Sequence, residues 1–127
     1  MNYTEEIIHE KKLIIIRLRG DFKAGFMDKL AIKYRKKALE NGYSLLWDTR
    51  EGRNFVSLTE TLAMMKKYRK PENRDLFLKV YTSIVASGPQ YVFFKVVEQF
   101  VSNERGDFKV FKDLEQALQY HEEILSK

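Results

Sequence analysis

The sequence predicts a mixed α/β domain built around a sheet of about five strands. Short runs of β-branched and aromatic residues alternate with longer segments whose apolar residues recur at helical spacing, in the order β-β-α-β-α-β-α-β-α. Helix start signals follow several of the apolar runs, which is typical where a strand feeds a helix. Strands separated by helices pair in parallel, and the opening hairpin adds an antiparallel pair, so the predicted sheet is mixed.

The first half of the chain is predicted to contain a hairpin, a helix and a third strand. The hairpin pairs Ile7-Ile8 with the run Leu13 to Leu18, which a short polar break separates. The helix covers Gly25 to Asn41, where apolar residues recur at helical spacing, and Gly42 is its predicted stop. The third strand is the apolar run Ser44 to Asp48.

A capping box predicts the start of the second helix. Ser57 and Glu60 have the S-x-x-E spacing in which each side chain accepts a hydrogen bond from the backbone of the other residue. Pro71 ends the helix because proline cannot continue it. The residues predicted to form its buried stripe are Leu58, Leu62 and Met65.

The second half is predicted to alternate two strands with two helices. Val80 to Ala86 is the fourth strand, and a helix runs from Gln90 to about Asn103. A turn at Arg105 to Asp107 leads to the last strand, Phe108 to Phe111. A final capped helix follows, and its apolar face consists of Leu114, Ala117, Leu118, His121 and Leu125.

The helix after Pro89 is apolar over an arc of roughly 200°, about twice the width of an ordinary buried stripe. The centre of the arc, predicted to face the sheet, consists of Phe93, Val96 and Phe100. The predicted solvent side consists of Lys95, Glu98, Gln99 and Ser102. The flank, a candidate partner surface, consists of Phe94, Val97 and Val101. Either a neighbouring helix or a second subunit would cover this flank, so a homodimer is one of two open hypotheses.

Composition narrows the class of protein. The chain has 127 residues, 44% hydrophobic and 13% aromatic, which indicates one packed domain spanning residues 1–127. The absence of cysteine excludes disulfides and cysteine nucleophiles. The N-terminus does not resemble a signal peptide, and no apolar run approaches the roughly 20 residues of a membrane helix. We expect a cytoplasmic protein without membrane insertion. The net charge of +5 is ordinary for such a domain, so nucleic acid is not a favoured partner.

Polar residues collect where predicted strands end and helices begin. Such crevices are the usual ligand sites of open α/β sheets. The candidate crevice residues are Asp48, Arg50, Arg53, Ser57 and Ser87. Such residues more often pair only with one another and with water. His9 and His121 are isolated in sequence, so we predict no catalytic residue, no metal site and no cofactor.

Four phrases occur in an order that resembles the SpoIIAA-like branch of STAS domains (sulfate transporter and anti-sigma-factor antagonist). The phrases are Gly20-Asp21-Phe22, Leu45-Leu46-Trp47-Asp48, Ile84-Val85-Ala86-Ser87 and the run Phe108 to Leu118. The resemblance implies a non-enzymatic regulatory module that binds a protein partner whose identity is unknown. In the family, a serine in the loop after the third strand is phosphorylated. Ser57 falls near that place, but its neighbours do not match the family motif, so we predict a helix cap without a phosphoswitch.

The alternative function is a carrier of a small apolar or lipid ligand. The related Sec14-like fold class binds lipids between the sheet and the helices, and the resemblance therefore also allows this function. A ligand that co-purifies with the protein would favour the carrier.

Overall fold

The computed structural model describes residues 2–102 and 108–126 and consists of one five-stranded sheet with helices on both of its faces. The strands are β1 Asn2–Ile8, β2 Leu13–Phe22, β3 Ser44–Asn54, β4 Thr82–Val85 and β5 Phe108–Phe111. The helices are α1 Ala24–Asn41, α2 Leu58–Tyr68, α3 Arg74–Leu78, α4 Gly88–Ser102 and α5 Leu114–Leu125. The predicted mixed α/β fold is confirmed. No described helix has both the length and the apolar composition needed to cross a membrane.

The strands lie side by side in chain order. β1 pairs antiparallel with β2, and all later pairs are parallel. Successive side chains of a strand point to opposite faces. Ile14 and Ile16 therefore join the core under α1 and α4, whereas Leu13 and Ile15 pack with α5. Both faces are covered, which explains why β2 is a continuous apolar run instead of an alternating one.

β3 is longer than predicted. The segment after Asp48, predicted to be a loop, continues as a strand and pairs in parallel with the second half of β2. Its charged residues meet opposite charges across the ladder. Arg19 Nε lies 2.9 Å from Glu51 Oε2, and Arg53 Nε lies 3.0 Å from Asp21 Oδ1. Because such cross-strand pairs stabilise a sheet, a polar segment that looks like a loop in sequence forms a strand here.

Other boundaries also differ from the prediction. β1 begins at Asn2 instead of Ile7 because its early polar residues pair with β2. β4 is shorter than the predicted Val80 to Ala86. The short helix α3 was not predicted. The predicted turn at Arg105 to Asp107 lies outside the described residues.

Candidate functional site

Two of the predicted crevice residues, Asp48 and Arg50, form an ion pair on β3. The Arg50 guanidinium donates to both carboxylate oxygens of Asp48, at 3.0 and 2.9 Å, and its backbone N–H donates at 3.1 Å. Burial opposes ionisation of Asp48, but these hydrogen bonds outweigh it and hold the pKa of the carboxyl below its ordinary value. The pair is therefore charged and satisfied internally at neutral pH.

The other predicted crevice residues lie apart from this pair. Arg53 contacts Asp21, Ser57 caps α2, and Ser87 is exposed just before α4. Among the described residues, no hydrogen bond or ion pair joins any of the three to Asp48 or Arg50. Alternation along β3 explains the separation: Thr49 faces α1–α4, so the Asp48–Arg50 pair faces the α5 side, whereas α2 lies on the opposite face. A ligand at the crevice stays a prediction.

The capping box at Ser57 is present as predicted. The Glu60 N–H donates to Ser57 Oγ at 3.1 Å, and the Ser57 N–H donates to Glu60 Oε1 at 3.0 Å. Without these side chains, both backbone N–H groups would lack a hydrogen-bond partner at the start of the helix. Of the buried stripe predicted for α2, Met65 faces inward, but Leu58 and Leu62 are 39% and 37% exposed, so the prediction is wrong for these two residues. The inward face of α2 instead consists of Thr61, Met64, Met65 and Tyr68.

α4 is rotated relative to the prediction. Val96 and Phe100, predicted to face the sheet, are exposed, whereas Val97 is buried and Phe94 packs against the core. Phe94 and Val97 are thus not a free partner surface, and the side chain of Val101 is outside the described residues. The physical reason is Glu98, which accepts a hydrogen bond of 2.6 Å from the backbone N–H of Val110. This contact turns one of the predicted solvent positions toward β5.

The rotation leaves an apolar stripe on the outside of the domain, which we call the α4 stripe. It consists of Val92, Val96 and Phe100, which are 63%, 37% and 47% exposed. Residues four apart on a helix lie on one face, so the stripe is continuous along the helix. Phe55, Leu58 and Leu62 are exposed on or just before α2, which contacts α4.

A cavity of about 580 Å³ lies between the sheet and helices α1–α4. Its walls are mostly aromatic, aliphatic and methionine side chains. They include Phe22, Met27, Trp47, Met64, Met65, Phe77, Ile84, Phe93, Phe94, Val97 and Phe108. Two buried threonines also line it, and both hydroxyls donate to backbone carbonyls, Thr49 to Val85 at 2.9 Å and Thr82 to Val80 at 3.3 Å. The polar groups of the sheet wall are therefore already engaged within the protein.

The lining residues on the helix side of the cavity include three arginines, Arg35, Arg69 and Arg74. Sequence reasoning missed this site because its lining comes from the sheet and from four helices that are distant from one another in sequence. The sequence did contain one indication that an arginine faces inward. Arg35 follows Ala31 by one helical turn and precedes the buried Ala38, so it shares their inward face within a run of lysines.

A buried serine–histidine pair lies on the other face of the sheet. Ser83 Oγ and His121 Nε2 are 2.7 Å apart, and both residues are almost fully buried. Burial lowers the pKa of His121 to about 4. Nδ1 of this histidine has no hydrogen-bond partner among the described residues, so no third group orients the ring as a catalytic base requires. His121, predicted to lie on the apolar face of the last helix, is buried there. The described residues contain no group of three or more potential metal ligands.

No protein-family model and no curated protein matches this sequence. Solved structures do match. One is an uncharacterised DUF3478-family protein with a SpoIIAA-like fold from Shewanella loihica PV-4, with a TM-score of 0.58 and 20% identity, covering 94% of this chain and 91% of that chain. The chain has a SpoIIAA-like fold. The anti-sigma factor antagonist SpoIIAA in its unphosphorylated form matches with a TM-score of 0.56 and 14% identity, covering 94% and 96% of the two chains.

The Bacillus cell fate determinant SpoIIAA in its phosphorylated form matches with a TM-score of 0.54 and 16% identity, over 94% of this chain and 98% of that one. Each match spans nearly the whole of both chains. At these identities, the SpoIIAA-like likeness shows the fold, and function has to be argued from the residues of this chain.

Proposed function

We propose that this chain is a non-enzymatic binding module that holds a small apolar ligand between the sheet and helices α1–α4. The cavity is the observation that carries this proposal. Its volume of about 580 Å³ lies within the roughly 300–1,000 Å³ range of small-molecule sites, and its walls are mainly apolar. The pocket is partly open to solvent, and an apolar ligand that fills it would remove the apolar surface of its walls from water.

The non-enzymatic part of the proposal is supported by the chemistry of the lining. Among the described residues, the titratable groups that line the cavity are three arginines and Tyr68, without a carboxylate or an imidazole. Burial and the hydrogen bond to Asp28 raise the pKa of Tyr68 well above its ordinary value, so it stays protonated. General acid–base catalysis needs a group that titrates near the operating pH, and this lining offers none.

Native mass spectrometry of protein purified without detergent tests the proposal. The wild type is expected to carry a bound small molecule. Ala31→Trp places a large side chain in the cavity and is expected to abolish that mass, whereas Ala63→Trp on the exposed side of α2 keeps it. A wild-type protein that carries no ligand and binds no added apolar compound would contradict the proposal, as would an Ala31→Trp variant that retains the bound mass.

A protein-interaction module in the manner of the STAS regulators is the second candidate, and the α4 stripe is the observation that favours it. Exposed apolar stripes usually mark interfaces. The partner would be either a second copy of this chain or another protein. Light scattering of wild type and Val92→Glu separates the two: a dimer that the substitution dissociates identifies self-association. A monomeric wild type at high concentration rules the homodimer out and directs the search to affinity capture.

A further inference from the structure

We propose that the ligand of the cavity is a planar aromatic compound and not an aliphatic chain. The proposal rests on the apolar-ligand function above and adds the chemical class of the ligand. Its basis is that seven aromatic side chains, from the sheet and from three helices, line this one cavity together with three methionines.

The composition of the lining differs from that of the rest of the core. Seven of the 22 described lining residues are aromatic, well above the 13% of the whole chain. Three of the four methionines of the chain also line the cavity. The described lining contains no leucine, although the chain has 13 leucines and several of them are buried in the core. The cavity is therefore not a gap in an average core, because its walls are selectively aromatic.

The rings lie on both walls of the cavity. Trp47 and Phe108 belong to strands of the sheet, whereas Phe93 and Phe94 belong to α4. On α4 the two rings pack edge to face, with 5.3 Å between their centroids and 77° between their planes. A flat ring system between the sheet and the helices can therefore contact aromatic rings on two sides. It also loses less conformational freedom on binding than a flexible chain does.

Some rings of the lining are already paired and others are not. Phe77 stacks on Tyr68 with 3.8 Å between ring centroids. Phe22 and Phe108, in contrast, have no aromatic partner among the described residues. An aromatic ligand would supply that partner. Each stacked or edge-to-face pair strengthens binding by about twofold to tenfold beyond the effect of buried area.

The methionines favour the same class of ligand. Met27 comes from α1, and Met64 and Met65 come from α2, so all three border the cavity from the helix side. A thioether sulfur makes favourable contacts with the edge of an aromatic ring. The unbranched side chain also adapts its shape, so methionines can fit the outline of a rigid ligand that cannot adapt itself.

Two probes that share one carbon skeleton test the class of ligand. 2-Naphthol and decahydro-2-naphthol each have the same fused rings and one hydroxyl, but only the first is aromatic and planar. The protein is passed over a hydrophobic resin until native mass spectrometry shows no bound molecule, and binding is then measured by isothermal titration calorimetry. The saturated probe has at least as much apolar surface, so burial of area alone predicts that it binds equally or more tightly. We expect 2-naphthol to bind roughly fivefold or more tightly.

Variants then test whether the lining rings cause this preference. Phe93→Leu and Phe108→Leu each remove a lining ring and keep a large apolar side chain, and both positions are only half-buried. We expect each variant to lower the ratio of the two affinities by about twofold to tenfold, mainly through weaker binding of 2-naphthol. Phe55→Leu is the matched control, because Phe55 is 53% exposed and is not among the described lining residues. Its ratio should equal that of the wild type.

The outcomes separate the two proposals. Equal or tighter binding of decahydro-2-naphthol to the wild type overturns the aromatic ligand while the apolar-ligand function stands. A wild-type ratio in both Phe93→Leu and Phe108→Leu does the same, as does a fall in the ratio that Phe55→Leu reproduces. If neither probe gives a heat of binding or raises the melting temperature of the wild type, both proposals are wrong.

Discussion

Substitution of His121 should reveal that the stability of this fold depends on pH. His121 is 3% exposed, and its Nε2 is hydrogen-bonded to Ser83 Oγ. Burial lowers the pKa of the imidazole from the ordinary 6.5 to about 4. Because the folded pKa lies below the unfolded one, the unfolded chain takes up a proton between these values and the folded chain does not. The contribution of the neutral ring is complete above pH 6.5 and is lost as the pH falls toward 4. The full loss is about 3 kcal/mol, of which about 2 kcal/mol is lost by pH 5.

Urea denaturation at about pH 7.5 and about pH 5 measures this loss. We expect the free energy of unfolding of the wild type to fall by about 2 kcal/mol between the two pH values. His121→Gln cannot gain the proton and should show a much smaller fall. His9→Gln removes the only other histidine, which is exposed, and should behave like the wild type. The buried-histidine reasoning is refuted if wild type and His121→Gln lose equal stability over this range.

Three further substitutions test local features of the fold. Ser57→Ala should lower the free energy of unfolding by about 1 kcal/mol through loss of the helix cap, as measured by urea denaturation. A phosphate detected on this serine by intact mass would contradict the prediction that it is a helix cap without a phosphoswitch. Gly52→Ala should cost roughly 1–3 kcal/mol because the new Cβ would lie 2.8 Å from the buried ring of Phe22, whereas Gly25→Ala meets open space and should be nearly neutral. Phe94→Glu should strongly destabilise the monomer, since this ring packs against the core. A Phe94→Glu protein with the wild-type melting temperature by circular dichroism would show that the orientation of α4 is wrong.

Features that depend on neighbouring residues could be predicted from the sequence alone. The Ser57–Glu60 capping box needs only four consecutive residues, and its geometry is present in full. Gly42 ends α1 with a φ of 70°, a conformation that glycine adopts readily, and this too is a local preference. The alternation of strands and helices was sufficient to predict a mixed sheet, because chain connectivity limits how such elements can pair.

Contacts distant in sequence decided the rest. β3 extends beyond Asp48 because β2 presents opposite charges in register, and no local pattern contains that information. The rotation of α4 depends on Glu98 reaching β5, since an apolar arc of roughly 200° fits the sheet in several rotations. The cavity exists only where the helices and the sheet enclose space together. The sequence by itself therefore determined the order of elements and their caps, while tertiary packing decided which faces are buried and where a ligand can bind.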